Sequence, residues 1–543
     1  MPMGKIGMGD IRRTNAGVLA NRLRALGVRY AFGIPSGQIL AMIEAFEACG
    51  VRFILVSHEM TAAFMADVVG RLTGVPGVAL ATLGPGATNL ATGVGNALLD
   101  RSPCLIITGQ VASAQFGRRV QMHVDHQQLF APLTKGSFLL APGRIGDTID
   151  GAVALATAEP PGPVHLDLLD DVAVTVAREE PRKRRPSVTP DRGRVRGVPA
   201  AVRALQGAKR PVAALGLSAA RSGSGARIRR FLERHKMPFV TTMMGKGVVP
   251  ERHPLHIGVV GRARHRWVEK FLADADLVLG IGYDPVEIGY DEWMPPVPLV
   301  HVDGEAVDVD PRVVVAAAVH GDIGTALESV AAARLRPTAW DLESIRRFRA
   351  RLAASLRPAS RRFQPWEVLD LLREWLPANG ILACDVGAHT HLIASQWDVE
   401  NGNLLVSNGW SSMGYGIPAA MAAKLVRPTR EVACVVGDGG FLMQAGEMAT
   451  AARLGRRVLF VVLRDESLSL IYVKQRRRGY RITGVGLPAR WSVPPPHYFG
   501  VPCVPARSAQ EFRAALVRAR RCRGPLVIEA IVDGSRYAEL LYE

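Results

Sequence analysis

Two apolar runs in the last third of the chain, each closed by an aspartate, constrain the fold most. Val432 to Gly437 leads into Asp438, Gly439 and Gly440, and Val458 to Arg464 leads into Asp465, 27 residues after Asp438. Each run is apolar and rich in β-branched residues, the pattern of a parallel strand buried on both faces. Between them Leu442 to Leu454 holds helix formers and no proline, so the spacing predicts strand, glycine turn, helix, strand. Such a unit sets both carboxylates at the carboxyl ends of strands in one sheet, where open α/β sheets bind ligands. Hard oxygen donors there suit Mg²⁺, which takes its remaining ligands from phosphate and water. The N–H groups at Gly439, Gly440 and the helix start can cradle an anion.

The first third carries a second set of strand-end signals. Phe53 to Val56 is followed by His58 and Glu59, which places an acid at a helix start, where the helix dipole favours it. Val78 to Thr82 is followed by Gly84, Pro85, Gly86 and, on the expected helix, Asn89. A third loop, Ser407 to Pro418, is rich in glycine and small polar residues and contains Ser411 and Met413. Asp385, Gly387, Ala388 and His389 close another apolar strand.

These segments together resemble the thiamine diphosphate-dependent, acetolactate synthase-like family of 2-oxo acid decarboxylases and carboligases. The resemblance rests on Gly437-Asp438-Gly439 with Asp465 at the family's spacing, His58-Glu59, Leu83 to Asn89, Leu98 to Pro103, Ile107 to Gln110 and Ser407 to Ala420. It implies thiamine diphosphate held through Mg²⁺ by Asp438, Asp465 and the backbone carbonyl of Ser467. It implies that Glu59 is the catalytic acid, sharing a proton with the cofactor's aminopyrimidine ring. Further cofactor contacts are implied at Pro85, Asn89, Gly387, His389, Gly437, Gly439, Gly440 and Leu470. By the same resemblance the Ser411 carbonyl would accept the cofactor's amino group, and Met413 would be the apolar wedge that bends it.

The fold class implied is α/β, as three doubly wound parallel-sheet domains. They are a pyrimidine-binding domain over residues 1–180, a central domain over 195–338 and a diphosphate- and Mg-binding domain over 362–543. The residues themselves mark Arg178 to Pro199 as an Arg- and Pro-rich linker and Arg336 to Pro365 as a basic, partly helical connector. Central strands are expected at Pro211 to Gly216, Pro238 to Thr242, Leu277 to Gly282 and Leu299 to Asp303. That the first and third blocks share a fold is told by the resemblance alone.

The chain departs from the family where relatives bind substrate. Val120 to Gln127 stands in place of a common Phe-Gln-Glu stretch, and Pro35-Ser36-Gly37 in place of Pro-Gly-Gly. Ser36, Gln121, His123 and His126 are therefore candidate substrate residues, the histidines as proton shuttles or contacts to a 2-oxo acid carboxylate. The donor and acceptor stay open. Addition to a second acceptor with pyruvate as donor is the leading expectation. His58 to Asp67 and Ser411 to Ala420 also look like carboxyethylarginine synthase, and a 2-hydroxyacyl lyase is a further alternative. An inactive, cofactor-binding scaffold is the non-enzyme alternative, against which Glu59 speaks. Glycines at Gly216, Gly280 and Gly282 form no complete dinucleotide fingerprint, and Gly282 to Glu287 looks more like the catabolic branch, so FAD is not expected. In the family each site is shared between chains, which implies a homodimer or homotetramer.

Composition excludes other classes. A formal charge of +18 invites nucleic acid as a partner, but it is spread along the chain, and no nucleic-acid motif accompanies Arg182 to Arg185 or Lys474 to Arg478. The second cluster lies just past the metal strand and could attract an anionic substrate. No run of about 18 apolar residues predicts a membrane span. The start, Met1 to Ile6, lacks an apolar leader region, and six scattered cysteines without a Cys-x-x-Cys pair suit a reducing compartment, so a cytoplasmic protein is expected.

Overall fold

The computed structural model describes residues 11–178, 195–261, 263, 265–284, 286–287, 293–400, 402–487 and 494–541. Most of the linker and the cluster Arg182 to Arg185 lie outside them.

Three open sheets follow one another along the chain. The first contains β1 (Tyr30–Gly33), β2 (Arg52–Leu55), β3 (Gly77–Ala81), β4 (Cys104–Gln110), β5 (Ser137–Leu139) and β6 (Pro163–Leu169), in the order β2-β1-β3-β4-β6-β5. Helix α1 (Glu59–Thr73) follows β2, and α2 (Pro85–Leu99) follows β3. The second sheet contains β7 (Pro211–Leu215), β8 (Phe239–Thr241), β9 (His256–Val259), β10 (Leu277–Ile281), β11 (Leu299–Asp303) and β12 (Val315–His320), in the order β12-β11-β10-β7-β8-β9. That is the doubly wound order of dinucleotide-binding folds. A short helix α3 (Leu217–Arg221) follows β7, and α4 (Leu342–Ser355) lies in the connector.

The third sheet contains β13 (Ile381–Cys384), β14 (Leu404–Val406), β15 (Val432–Gly437), β16 (Leu459–Arg464), β17 (His497–Tyr498), β18 (Val501–Ala506) and β19 (Leu526–Ile531). Its order is β14-β13-β15-β16-β19-β18-β17, and only the β17–β18 pair is antiparallel. Without β17 this repeats the strand order of the first sheet, so the first and third domains share one plan. Its helices include α5 (Ala388–Gln396), α6 (Gly416–Val426), α7 (Asp438–Gln444), α8 (Glu447–Leu454) and α9 (Ser469–Arg477).

An apolar core joins the first and third domains. It includes Phe64, Ala66 and Val69 of α1 and Ile417, Ala420 and Met421 of α6. Phe64 meets Tyr415 edge to face at 5.4 Å, and α1 is buried from Thr61 to Gly70. A helix apolar on most sides is read as buried on most sides.

Four local readings are corrected. The helix expected over Leu442 to Leu454 is two helices, the first beginning at Asp438, with a break at Ala445 and Gly446. The linker ends before Val198, which opens a helix whose first turn accepts Pro199 because that position needs no N–H. Strands β9 and β12 were not expected. β9 is only four residues long, and β12 is alanine-rich, so neither carries a strong β signal.

Candidate active site

Asp438 and Asp465 follow neighbouring strands. β15 pairs with β16 in parallel, with Gly437 opposite Leu463, so the two carboxylates stand side by side at the strand ends. Asp438 accepts N–H groups from Gly439 at 2.8 Å and Glu466 at 2.7 Å, which fixes its direction. Ser469 donates its hydroxyl to Asp465. Burial pushes the Asp438 carboxyl up to about 6. Burial, and then the Asp438 charge, push Asp465 up to about 7. Two acids that burial and mutual repulsion hold short of full ionisation form a donor set that a divalent cation relieves. Ser467 lies in an isolated bridge to Gly486 whose hydrogen bonds use the Leu468 N–H and the Glu466 carbonyl, not the Ser467 carbonyl. Gly440 is demanded by space, since a Cβ there would stand 2.1 Å from Asp385 Oδ2.

Arg464, to which sequence assigned no role, forms a buried pair with Glu529 at 2.9 Å and reaches Glu466 at 2.6 Å. It ties β16 to β19 immediately before Asp465.

The loops beside this pair converge on it. Asp385, buried at the end of β13, accepts N–H groups from Val386 at 2.8 Å and from Gly414 and Tyr415 at 3.1 Å each. That carboxylate anchors the far end of the loop carrying Ser411 and Met413. Ser411 is exposed with φ +53, and the Met413 methyl lies against Gly439. His389, at the start of α5, packs its ring on Gly387 and Gly437. Burial lowers its pKa to about 4, so it is neutral, and among the described residues its buried Nε2 has no hydrogen-bond partner. A ring nitrogen left open beside two glycines marks a place for a ligand's polar group against those turns.

A cavity of about 250 Å³ opens between the central and third domains. Gly387, Ser411 and Leu470 line it from the loops expected to hold the cofactor, and Thr390, His391, Lys474, Thr242 and Glu287 add polar groups. Among the described residues none of the first domain lines it.

Glu59 is 8% exposed at the first position of α1. Its Oε2 accepts the Asn89 side-chain N–H at 3.0 Å, and its other oxygen lies close to Gly86. Gly84 opens α2 with φ +61, a conformation that favours glycine, and Pro85 is exposed beyond it. These residues therefore form one cluster, and among the described residues the Glu59 carboxylate bonds to nothing from the third sheet.

Of the candidate substrate residues, His123 and His126 both meet Gln110. Ser36 donates to Thr82 Oγ1 at 2.6 Å, and Gln121 is exposed. His123 meets Gln110 Oε1 at 2.9 Å. His126 faces inward at 1% exposure. Its Nε2 accepts the Gly84 N–H at 3.3 Å, so the proton sits on Nδ1, which faces Asp167 Oδ1 at 3.1 Å. The buried ring braces the Gly84 turn. His165 and Asp167 complete that polar cluster through Thr108.

Sequence reasoning missed a buried network beneath the Ser411 loop. Asp100 accepts the Gly409 N–H at 2.8 Å and Arg71 at 3.0 Å. Arg71 also donates to the Val406 carbonyl, and Ser407 donates to Asn96. Asp100 lies within Leu98 to Pro103, so it was visible as part of a motif, but its partner Arg71 is 29 residues away.

Comparison with known proteins follows the three-domain division. The N-terminal TPP binding domain of thiamine pyrophosphate enzymes matches residues 13–129, their central domain matches 198–330, and their C-terminal TPP binding domain matches 385–530. The chain is similar to an acetolactate synthase of Bacillus subtilis, 29% identical over 540 residues, covering 97% of this chain and 94% of the relative. It is 31% identical over 481 residues to the acetolactate synthase isozyme 1 large subunit of Escherichia coli, covering 86% and 84%. It is 30% identical over 534 residues to a catabolic acetolactate synthase of Raoultella terrigena, covering 95% of each.

Proposed function

Because the chain belongs to the thiamine pyrophosphate enzyme family, we propose that it is a carboligase of the acetolactate synthase kind. It takes a 2-oxo acid such as pyruvate, removes CO₂ and joins the remaining fragment to an acceptor. The observation that carries this reading is the convergence of Asp438, Asp465, the His389 ring and Met413 on the Gly437–Gly440 turn, with Gly387 and Ser411 of the adjoining loops lining the cavity.

Thiamine diphosphate, when bound, supplies the carbon nucleophile and the electron sink. Asp438, Asp465 and the Ser467 carbonyl would hold Mg²⁺ against its diphosphate. His389, Gly387, Gly437, Gly439 and Gly440 would line the phosphates, and Met413 and Leu470 would bound the ring system. Glu59 holds and returns a proton at the pyrimidine edge, and Asn89 aims its carboxylate. Pro85 and Gly84 keep the loop beside it rigid. The walls of the cavity limit water around the acceptor, where His391 and Lys474 offer polar contacts to a carboxylate.

Glu59 is absent from the cavity lining, and Leu442 and Met443 of α7 are 57% and 54% exposed beside Asp438. Both features support a second copy of the chain supplying Glu59, in a homodimer or a tetramer of two such pairs. The central domain is proposed to bind no flavin despite its strand order. The amides at the start of α3 are already engaged, Leu217 N–H by Glu287 at 2.9 Å and Ser218 N–H by the Gly282 carbonyl at 2.9 Å. The six free cysteines, four of them buried, suit work in the cytoplasm. Among the described residues no helix is long and apolar enough to cross a membrane.

The test is incubation of the protein, Mg²⁺ and thiamine diphosphate with pyruvate, alone and with candidate acceptors, following CO₂ and products by mass spectrometry. Acetolactate from pyruvate alone is the expected result. No CO₂ release from any of a panel of 2-oxo acids would remove the reading.

A further inference from the structure

We propose that Glu447 is a positioning residue for Glu59, reaching across from the helix pair that begins at the metal-binding Asp438. The inference rests on the role proposed above for Glu59.

Glu447 is 1% exposed. Its Oε1 accepts the N–H groups of Ser57 at 2.9 Å and His58 at 3.1 Å, the two residues before Glu59. Its Oε2 accepts the Thr450 hydroxyl at 2.6 Å. Every described hydrogen bond of this carboxylate is thus spent on holding a turn of another domain or on fixing the carboxylate itself. The same turn is gripped at three more points from α7 and α8. Ser57 donates to the Gly446 carbonyl at 3.0 Å, Thr61 donates to Gln444 at 2.8 Å, and Arg453 donates to the Leu55 carbonyl at 3.1 Å.

The break between α7 and α8 makes this grip work. Gly446 and Glu447 sit at the break and face the turn, and an uninterrupted helix would rotate Glu447 by about 100° per residue of shift. Among the described residues the Glu59 carboxylate itself accepts only from Asn89. Its position therefore depends on the backbone that Glu447 holds. α7 runs from Asp438 to Gln444, about 9 Å of helix, so the metal end and the Glu59 turn are ends of one short strut.

The experiment compares Glu447→Ala, Glu447→Asp and Glu447→Gln with wild type. Three quantities are read. They are the affinity for thiamine diphosphate with Mg²⁺ by calorimetry, exchange of the bound cofactor's C2 proton with deuterium by NMR, and amide exchange over residues 55–61 in cofactor-free protein. The alanine variant should slow C2 exchange by at least about tenfold, speed amide exchange over the turn, and keep cofactor affinity within about threefold. The glutamine variant keeps an acceptor oxygen and should recover both exchange rates. C2 exchange at the wild-type rate in Glu447→Ala would overturn the inference, as would a glutamine variant as slow as alanine. Should the alanine variant not fold, Glu447→Asp, one methylene too short to reach the turn, is judged by the same criteria. A wild-type protein that binds neither cofactor nor Mg²⁺ would end the functional reading instead.

Discussion

Glu287 is the buried acid whose environment makes the sharpest numerical demand. It is 2% exposed in the central domain, with Oε2 accepting the Leu217 N–H and Oε1 bonded to Thr242. Burial pushes its carboxyl up to about 8, against the smaller opposing pull of the Thr242 and Leu217 hydrogen bonds. In the unfolded chain it returns to about 4.3. Between those values the folded chain holds a proton that the unfolded chain has lost, so stability falls as pH rises. The contribution is fully present below about 4.3 and is lost as pH rises through about 8. At about 1.4 kcal/mol per pH unit, the gap amounts to roughly 5 kcal/mol. Glu287→Gln removes the ionisation and keeps an oxygen for Leu217. Urea unfolding of both proteins at about pH 5, 7 and 9 should show the variant gaining on wild type with each step. The gain should reach several kcal/mol at the alkaline end. A difference that stays flat across that range would show that this carboxyl titrates near its ordinary value, and the reasoning from burial would fail.

Asp438→Ala should abolish retention of thiamine diphosphate and Mg²⁺, read as cofactor content after gel filtration. With Asp438 pushed to about 6 and Asp465 to about 7, protons compete with the cation, so cofactor affinity measured by calorimetry should weaken as pH falls below about 7. Asp100→Ala leaves Arg71 with Asp67 and the Val406 carbonyl but removes the acceptor of the Gly409 N–H and one charged partner of Arg71, and should cost about 1.5–3 kcal/mol in urea unfolding. A cost under about 1 kcal/mol would deny the network its role. Mixing Glu59→Gln and Asp438→Ala chains should restore part of the activity if two chains share each site, and a mixture as inactive as its components would speak against sharing.

Buried parallel strands are legible in sequence because both faces demand apolar, β-branched residues. That pattern placed β15, β16 and the acids after them, and it placed β3 and the Gly84 turn. The match of strand order between the first and third sheets was not readable from residues, because pairing order is set by crossover geometry and not by composition. Glu447 reads as an ordinary first-turn acid, and its value lies in amides 389 and 390 residues away. Glu287 and Asp100 are polar residues whose burial is a tertiary outcome. Arg464 reads as a lone charge until β19 brings Glu529 beside it. His126 sits in a polar loop that suggests exposure, but packing under Gly84 turns it inward.

The repeated strand order also tells how the two outer domains divide their labour. Overlaid by position, β3 stands where β15 stands and β4 where β16 stands. The third domain closes those strands with Asp438 and Asp465, whereas the first follows them with Thr82, Leu83 and Gly84 and with Val111. Likewise the turn after β2, which bears Glu59, occupies the position of the Ser411 loop after β14. One scaffold used twice therefore presents two rims of opposite character, which in the proposed dimer would face one ligand. The rim of the third domain carries two crowded carboxyl groups, the oxygen donors that the proposed cation would need. The rim of the first has no carboxylate at those stations, and Glu59 stands at the neighbouring one.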